Sequence, residues 1–110
     1  MSFTNIDAET LERLRDDGVP VIDVRTDAEV ARGVIPGARH IALDKLAARA
    51  GELDRTGPVI LYCQSGGRST GAAQFLGSQG FSQVYNLQGG IIGWTAAGRP
   101  MGKLATTNLN

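Results

Sequence analysis

The run Val59-Ile60-Leu61-Tyr62 is apolar at every position, with no polar residue interrupting it. A strand with one wet face alternates apolar and polar residues, so an unalternating run of this length fits a strand buried on both faces of a sheet. Both faces are covered when helices carry the chain between parallel strands by right-handed crossovers. The flanking sequence supplies that alternation. Asp7 suits the N-cap of a helix from Ala8 to about Asp17, with Leu11 and Leu14 on its inner face. Ile6 and Leu11 stand at the positions of a hydrophobic staple, and Gly18 supplies the stop. Val21-Ile22-Asp23-Val24 reads as a strand, and Asp27 to Ala31 as a short helix ended by Gly33. Pro36-Gly37 suits the centre of a type II turn. His40-Ile41-Ala42 then reads as a short strand and Asp44 to Ala50 as a helix. Beyond the apolar run lie a helix from about Ser69 to Gln79, with Ala72, Phe75 and Leu76 inward, and a strand Gln83 to Leu87. Gly89-Gly90 leads to a last helix, Ile91 to Ala97, terminated by Gly98 and Pro100. The expected fold class is α/β with a mostly parallel sheet: one domain over residues 1–101 and a loosely held polar tail, 102–110.

Composition narrows the function classes. Lys+Arg and Asp+Glu both number 11, so the formal net charge is zero, which argues against a nucleic-acid partner. No apolar run reaches membrane-spanning length, so no membrane partner is expected. The start, Met1 to Asp7, has neither a basic n-region nor an apolar h-region, and the expected location is the cytoplasm. Cys63 is the only cysteine and His40 the only histidine, which leaves no internal disulfide and disfavours a zinc site.

Chemistry concentrates at Cys63. It directly follows the buried strand, at the carboxyl end of the sheet, where open α/β folds place their ligands. The loop Cys63-Gln64-Ser65-Gly66-Gly67-Arg68 carries two glycines, which let successive backbone N–H groups turn inward as an anion nest. The helix that starts near Ser69 aims its positive end at the same point, and Arg68 adds a full charge. All of these favour thiolate over thiol. Arg68 suits a structural donor as well as a ligand for an anion. Asp23 and Arg25 share one side of their strand, so Arg25 suits an ion pair as well as a substrate contact at the rim. His40 is expected to be a satisfied, non-catalytic histidine, and Trp94 with Ile91 to be core.

These residues resemble the single-domain rhodaneses, the thiosulfate sulfurtransferase-like family, over about Thr4 to Met101. Val21-Ile22-Asp23-Val24-Arg25 with Gly33-Val34-Ile35-Pro36-Gly37-Ala38 is similar to the family's first signature. Cys63-Gln64-Ser65-Gly66-Gly67-Arg68-Ser69 resembles its active-site loop, and Asn86-Leu87-Gln88-Gly89-Gly90-Ile91 with Trp94 resembles its second signature. Val34 departs from the pattern, which commonly has histidine in that structural turn. The resemblance implies a small five-stranded parallel sheet with helices on both sides and a ping-pong reaction through a Cys63 persulfide. It further implies a small-molecule sulfane-sulfur donor such as thiosulfate, and cyanide, a thiol or a protein thiol as acceptor. No metal or organic cofactor is implied.

Two rival readings meet specific obstacles. A cysteine phosphatase or arsenate reductase wraps a tetrahedral oxyanion with five residues between cysteine and arginine, whereas only Gln64, Ser65, Gly66 and Gly67 separate Cys63 from Arg68. No aspartate is clearly placed as its general acid. A non-catalytic rhodanese-like binding module usually lacks the cysteine, which is present here in an intact loop.

Overall fold

The computed structural model describes residues 3–104. Its strands are β1 (Thr4–Ile6), β2 (Val21–Asp23), β3 (Arg39–His40), β4 (Pro58–Tyr62) and β5 (Gln83–Leu87). They form one sheet in the order β1-β5-β4-β2-β3, and every pairing is parallel. The apolar run therefore lies at the centre. Its residues alternate between two separate cores: Val59 and Leu61 face one, Ile60 and Tyr62 the other. Each large aliphatic side chain buried in this way contributes roughly 1.5–3 kcal/mol.

The helices are α1 (Ala8–Asp16), α2 (Asp27–Ala31), α3 (Leu43–Arg49), α4 (Gly67–Ser78) and α5 (Gly90–Ala96), with a 3₁₀ turn at Ala50–Glu52. Leu46 of α3 and Ala72, Ala73 and Leu76 of α4 close the first core. Leu11 of α1, Val30 of α2 and Ile91 and Trp94 of α5 close the second. Phe75, half-buried, packs against this core as expected, and Ala73 joins Ala72 and Leu76 inside it. Asp7 caps α1 as anticipated, accepting the Thr10 N–H at 2.8 Å. At Pro36-Gly37 the Ala38 N–H reaches the Ile35 carbonyl at 3.0 Å and Gly37 has φ +90°, as a type II turn requires. Among the described residues, no helix is long and apolar enough to cross a membrane.

Several boundaries differ from expectation. Ile6 packs into the same core as Leu11, but it also ends an edge strand, β1, that the sequence reading does not assign. A segment with Thr4 and Asn5 exposed and only Ile6 buried is too short to show a period. β3 covers Arg39–His40 and not His40–Ala42; Ile41 still donates to the Asp23 carbonyl at 3.1 Å, then turns into the core. The chain past Met101 is also held: Gly102 exchanges backbone bonds of 2.7 and 2.8 Å with Val34, and Leu104 packs against the second core. Backbone pairing of this kind leaves no side-chain signal. Val34, in place of the family's histidine, is fully buried. Residues 105–110 of the expected tail lie outside the described residues.

Candidate active site

Cys63 directly follows β4, with its thiol buried at the floor of the loop. Gly66 takes φ +113°, a conformation glycine adopts without the Cβ clash other residues meet. That kink starts α4 two residues earlier than the sequence indicates, with Gly66 as N-cap and its carbonyl accepting the Thr70 N–H at 3.1 Å. Arg68 and Ser69 therefore stand in the first helical turn, where N–H groups have no partner within the helix. Two backbone donors converge on the sulfur: Gly66 N–H lies 3.1 Å from Sγ and Ser69 N–H 3.4 Å from it. Gly67, expected to share the nest's special geometry, is an ordinary first helical residue with open space around it.

The other wall comes from α5. Ile91 N–H donates to the Cys63 carbonyl at 3.0 Å and Ile92 N–H to the Gln64 carbonyl at 3.1 Å. In a trans peptide the N–H points away from its carbonyl, so fixing these two oxygens turns the Gln64 and Ser65 N–H groups to the opposite side. Gly90 makes this approach possible. A Cβ there would lie 2.6 Å from the Gln64 carbonyl carbon and 2.7 Å from the Cys63 carbonyl oxygen. Sequence reasoning treats Gly89-Gly90 as a lead-in to a helix; what the backbone meets there is visible only in three dimensions.

A polar network braces the loop from below. Ser69 Oγ donates to Asn86 Oδ1 at 2.6 Å, and Asn86 Nδ2 donates to Asn5 Oδ1 at 2.9 Å. Thr70 Oγ1 donates to the Gly66 carbonyl at 2.7 Å. Asn86 and Asn5 were not among the expected site residues. The available signal was Asn86 itself, a polar residue between Tyr85 and Leu87 that is buried in the structure and must find partners.

Burial is the largest single influence on Cys63 and opposes ionisation. Hydrogen bonds from the Ser69 hydroxyl and N–H and from the Gly66 and Ser65 N–H groups together outweigh it, leaving the thiol below its ordinary range. The Ser69 hydroxyl has one proton, so bonding to sulfur gives up its bond to Asn86; the backbone donors face no such competition. Alkylation of the wild type by iodoacetamide is therefore expected to show a pH midpoint below that of free cysteine. A midpoint at or above it would contradict the role given to the loop donors.

Arg25, His40 and Arg68 are already partnered. Arg25 is buried, with Nη2 on Asp23 Oδ2 at 2.7 Å and on the Gly33 carbonyl at 2.7 Å. Its Nη1 reaches Gln64 Oε1 at 3.2 Å, which ties β2 to the loop. His40 Nε2 sits 2.6 Å from the Arg25 carbonyl oxygen, a satisfied histidine. Arg68 points its Nη1 and Nη2 at Glu29 Oε1 and Oε2, both at 2.8 Å. Two grooves flank the loop: one of about 890 Å³ includes Arg68, Leu43 and Lys45, the other, about 180 Å³, includes Gln64, Ile92 and Met101. Cys63 lines neither groove. Among the described residues no group of His, Cys, Asp and Glu side chains is placed to hold a metal ion.

The family model described as Rhodanese-like domain matches residues 7–97, and the chain belongs to that family. It is 42% identical over 98 residues to a protein of Allochromatium vinosum named sulfurtransferase, covering 87% of this chain and 92% of that one. It is 43% identical over 94 residues to the thiosulfate sulfurtransferase GlpE of Pseudomonas fluorescens, covering 84% of each. The fold is similar to a rhodanese-related protein from Thermoplasma volcanium (TM-score 0.80, 29% identity, 90% of this chain and 97% of that one). It is also similar to a thiosulfate sulfurtransferase from Pseudomonas aeruginosa (TM-score 0.84, 30% identity), covering 94% of this chain and 21% of that one.

Proposed function

We propose that the chain is a thiosulfate sulfurtransferase that carries sulfur as a persulfide on Cys63. The observation that carries this reading is the convergence of the Gly66 and Ser69 N–H groups on a thiol held below its ordinary pKa at the end of the central strand. The Cys63 thiolate attacks the outer sulfur of thiosulfate, a new S–S bond forms, and sulfite leaves with the electron pair of the old one. The persulfide anion then rests against the N–H groups of the loop, Gln64 to Ser69, which act as preorganised electrostatic stabilisers. Cyanide, a thiol or a protein thiol attacks the outer sulfur and Cys63 leaves again as thiolate. Gly66 supplies the kink and Ser69 the helix-terminal donor. Gly67 and Arg68 form the first turn of α4. Arg25 acts on this site by holding Gln64, since its guanidinium is buried among Asp23 and Gly33. The cytoplasm suits such an enzyme, because a single cysteine that must cycle as a thiolate persists in a reducing compartment.

Steady-state kinetics test the reading. Because the first product leaves before the acceptor enters, double-reciprocal plots against thiosulfate at several cyanide concentrations are expected to be parallel. Lines that intersect would require both substrates bound at once and would exclude a free persulfide enzyme.

A further inference from the structure

Arg25, bonded to Gln64, and Arg68, within the loop, each carry a guanidinium neutralised by a carboxylate of its own. Arg25 is closed off with Asp23, at 3% and 0% side-chain exposure. Arg68 opens to solvent, at 37%, yet its two terminal nitrogens are taken by the two oxygens of Glu29. Glu29 is itself mounted firmly. Its Oε1 accepts the Thr26 N–H at 3.0 Å and the Thr26 hydroxyl at 3.1 Å, completing a capping box at the start of α2. The parallel pair thus spans from α2 to the first turn of α4, and bidentate geometry of this kind fixes both partners. A free cation expected beside the sulfur is half of a neutral pair.

We infer that Glu29 is a specificity-determining residue of sulfur transfer. By holding Arg68 at the mouth of the Cys63 loop, it denies that positive charge to dianionic donors and leaves the site to select on the sulfur alone. The inference rests on the reading of Cys63 as sulfur carrier. The loop N–H groups address charge on the transferring sulfur and are indifferent to what the rest of the donor carries. Arg68 would reward a second negative charge, and Glu29 cancels that reward. The pair also does not open with pH: the Arg68 guanidinium, against the effect of burial, holds the Glu29 carboxyl down at about 2. Its contribution is complete above the ordinary carboxyl range and lost only as the pH falls through that low value.

The probes are thiosulfate, a dianion, and methanethiosulfonate, a monoanion of nearly the same shape with a methyl in place of one oxygen. Either delivers its outer sulfur to the thiolate, releasing sulfite or methanesulfinate. Glu29→Gln preserves the capping box, since glutamine serves at that position, and leaves the Arg68 charge uncancelled. The ratio of kcat/KM for thiosulfate over methanethiosulfonate is expected to rise about three- to fivefold, the scale of one exposed ion pair, through KM more than kcat. In Glu29→Gln/Arg68→Met the ratio should return to about the wild-type value. An unchanged or lower ratio in the single variant, or a raised ratio that persists in the double, overturns the inference. A second readout does not depend on the Glu29 variants. Added potassium chloride should change the ratio of kcat/KM for thiosulfate over methanethiosulfonate equally in the wild type and in Arg68→Met, since Arg32, Lys45 and Arg49 in the flanking grooves remain in both. A steeper fall of the ratio in the wild type than in Arg68→Met would reveal an unneutralised Arg68 and overturn the inference. Transfer from neither donor by the wild type would instead reject the sulfurtransferase reading itself, a different result from turnover with an unmoved ratio.

Discussion

Cys63→Ser is expected to bring thiosulfate:cyanide sulfur transfer down to the uncatalysed background, a loss of roughly a thousandfold or more, while the protein stays folded. Cys63 is the only cysteine, so no second thiol can take over. Serine keeps the hydrogen-bond acceptor that the Gly66 and Ser69 N–H groups address, and it is smaller than the side chain it replaces. Those donors stay satisfied, and stability should change by no more than about 1–2 kcal/mol. The hydroxyl, however, does not ionise near neutral pH, and without an anion the outer sulfur of the donor is not displaced. Thiocyanate formation and a thermal melt, measured on the same sample, check both halves. Substantial turnover by the folded variant would end the mechanism.

Gly90→Ala is expected to do comparable harm from outside the loop. The added Cβ would overlap the backbone of Cys63 and Gln64, which cannot swing aside as a flexible side chain can. Gly90 also has φ +61°, where a residue with a Cβ pays about 1–2 kcal/mol. With overpacking of about 1–3 kcal/mol added, the loss of stability should reach roughly 2–5 kcal/mol. What gives way is the register of α5 against the loop. The Ile91 and Ile92 N–H groups then release the carbonyls they hold, and the peptides of Gln64 and Ser65 are free to rotate. Sulfur transfer is expected to drop at least about a hundredfold even where the fold persists, as misplacing a reacting group by an ångström does. A Gly90→Ala protein with wild-type melting and near wild-type kcat would show that α5 does not shape the site.

What the sequence revealed and what it hid divide along physical lines. The central strand was legible because burial on both faces erases alternation, and Val59 to Tyr62 carry that signature in four consecutive letters. The cysteine at its carboxyl end followed from the same observation. β1 was not legible, because its three residues contain a single buried side chain and gain their identity only by pairing with Tyr85 to Leu87. Strand order is likewise decided by which crossover each helix makes, and the sequence carries no local mark of it. Gly66 and Gly67 look alike in sequence, yet only Gly66 takes a left-handed conformation; that choice moves the start of α4 and turns Arg68 from a loop residue into a helical one. The partner of Arg68 was hidden for a simpler reason. Glu29 stands 39 residues away, and its place in a capping box gave no hint that its oxygens were shared with a second element.

The central claim, that Cys63 carries sulfur between donor and acceptor, is open to one direct measurement. The protein is treated with thiosulfate, desalted, and weighed intact by mass spectrometry, then exposed to cyanide and weighed again. A gain of one sulfur atom, confined to Cys63 and removed by cyanide with thiocyanate formed in equal amount, is the predicted result. An unchanged mass after thiosulfate, or an adduct that survives in Cys63→Ser, would contradict it.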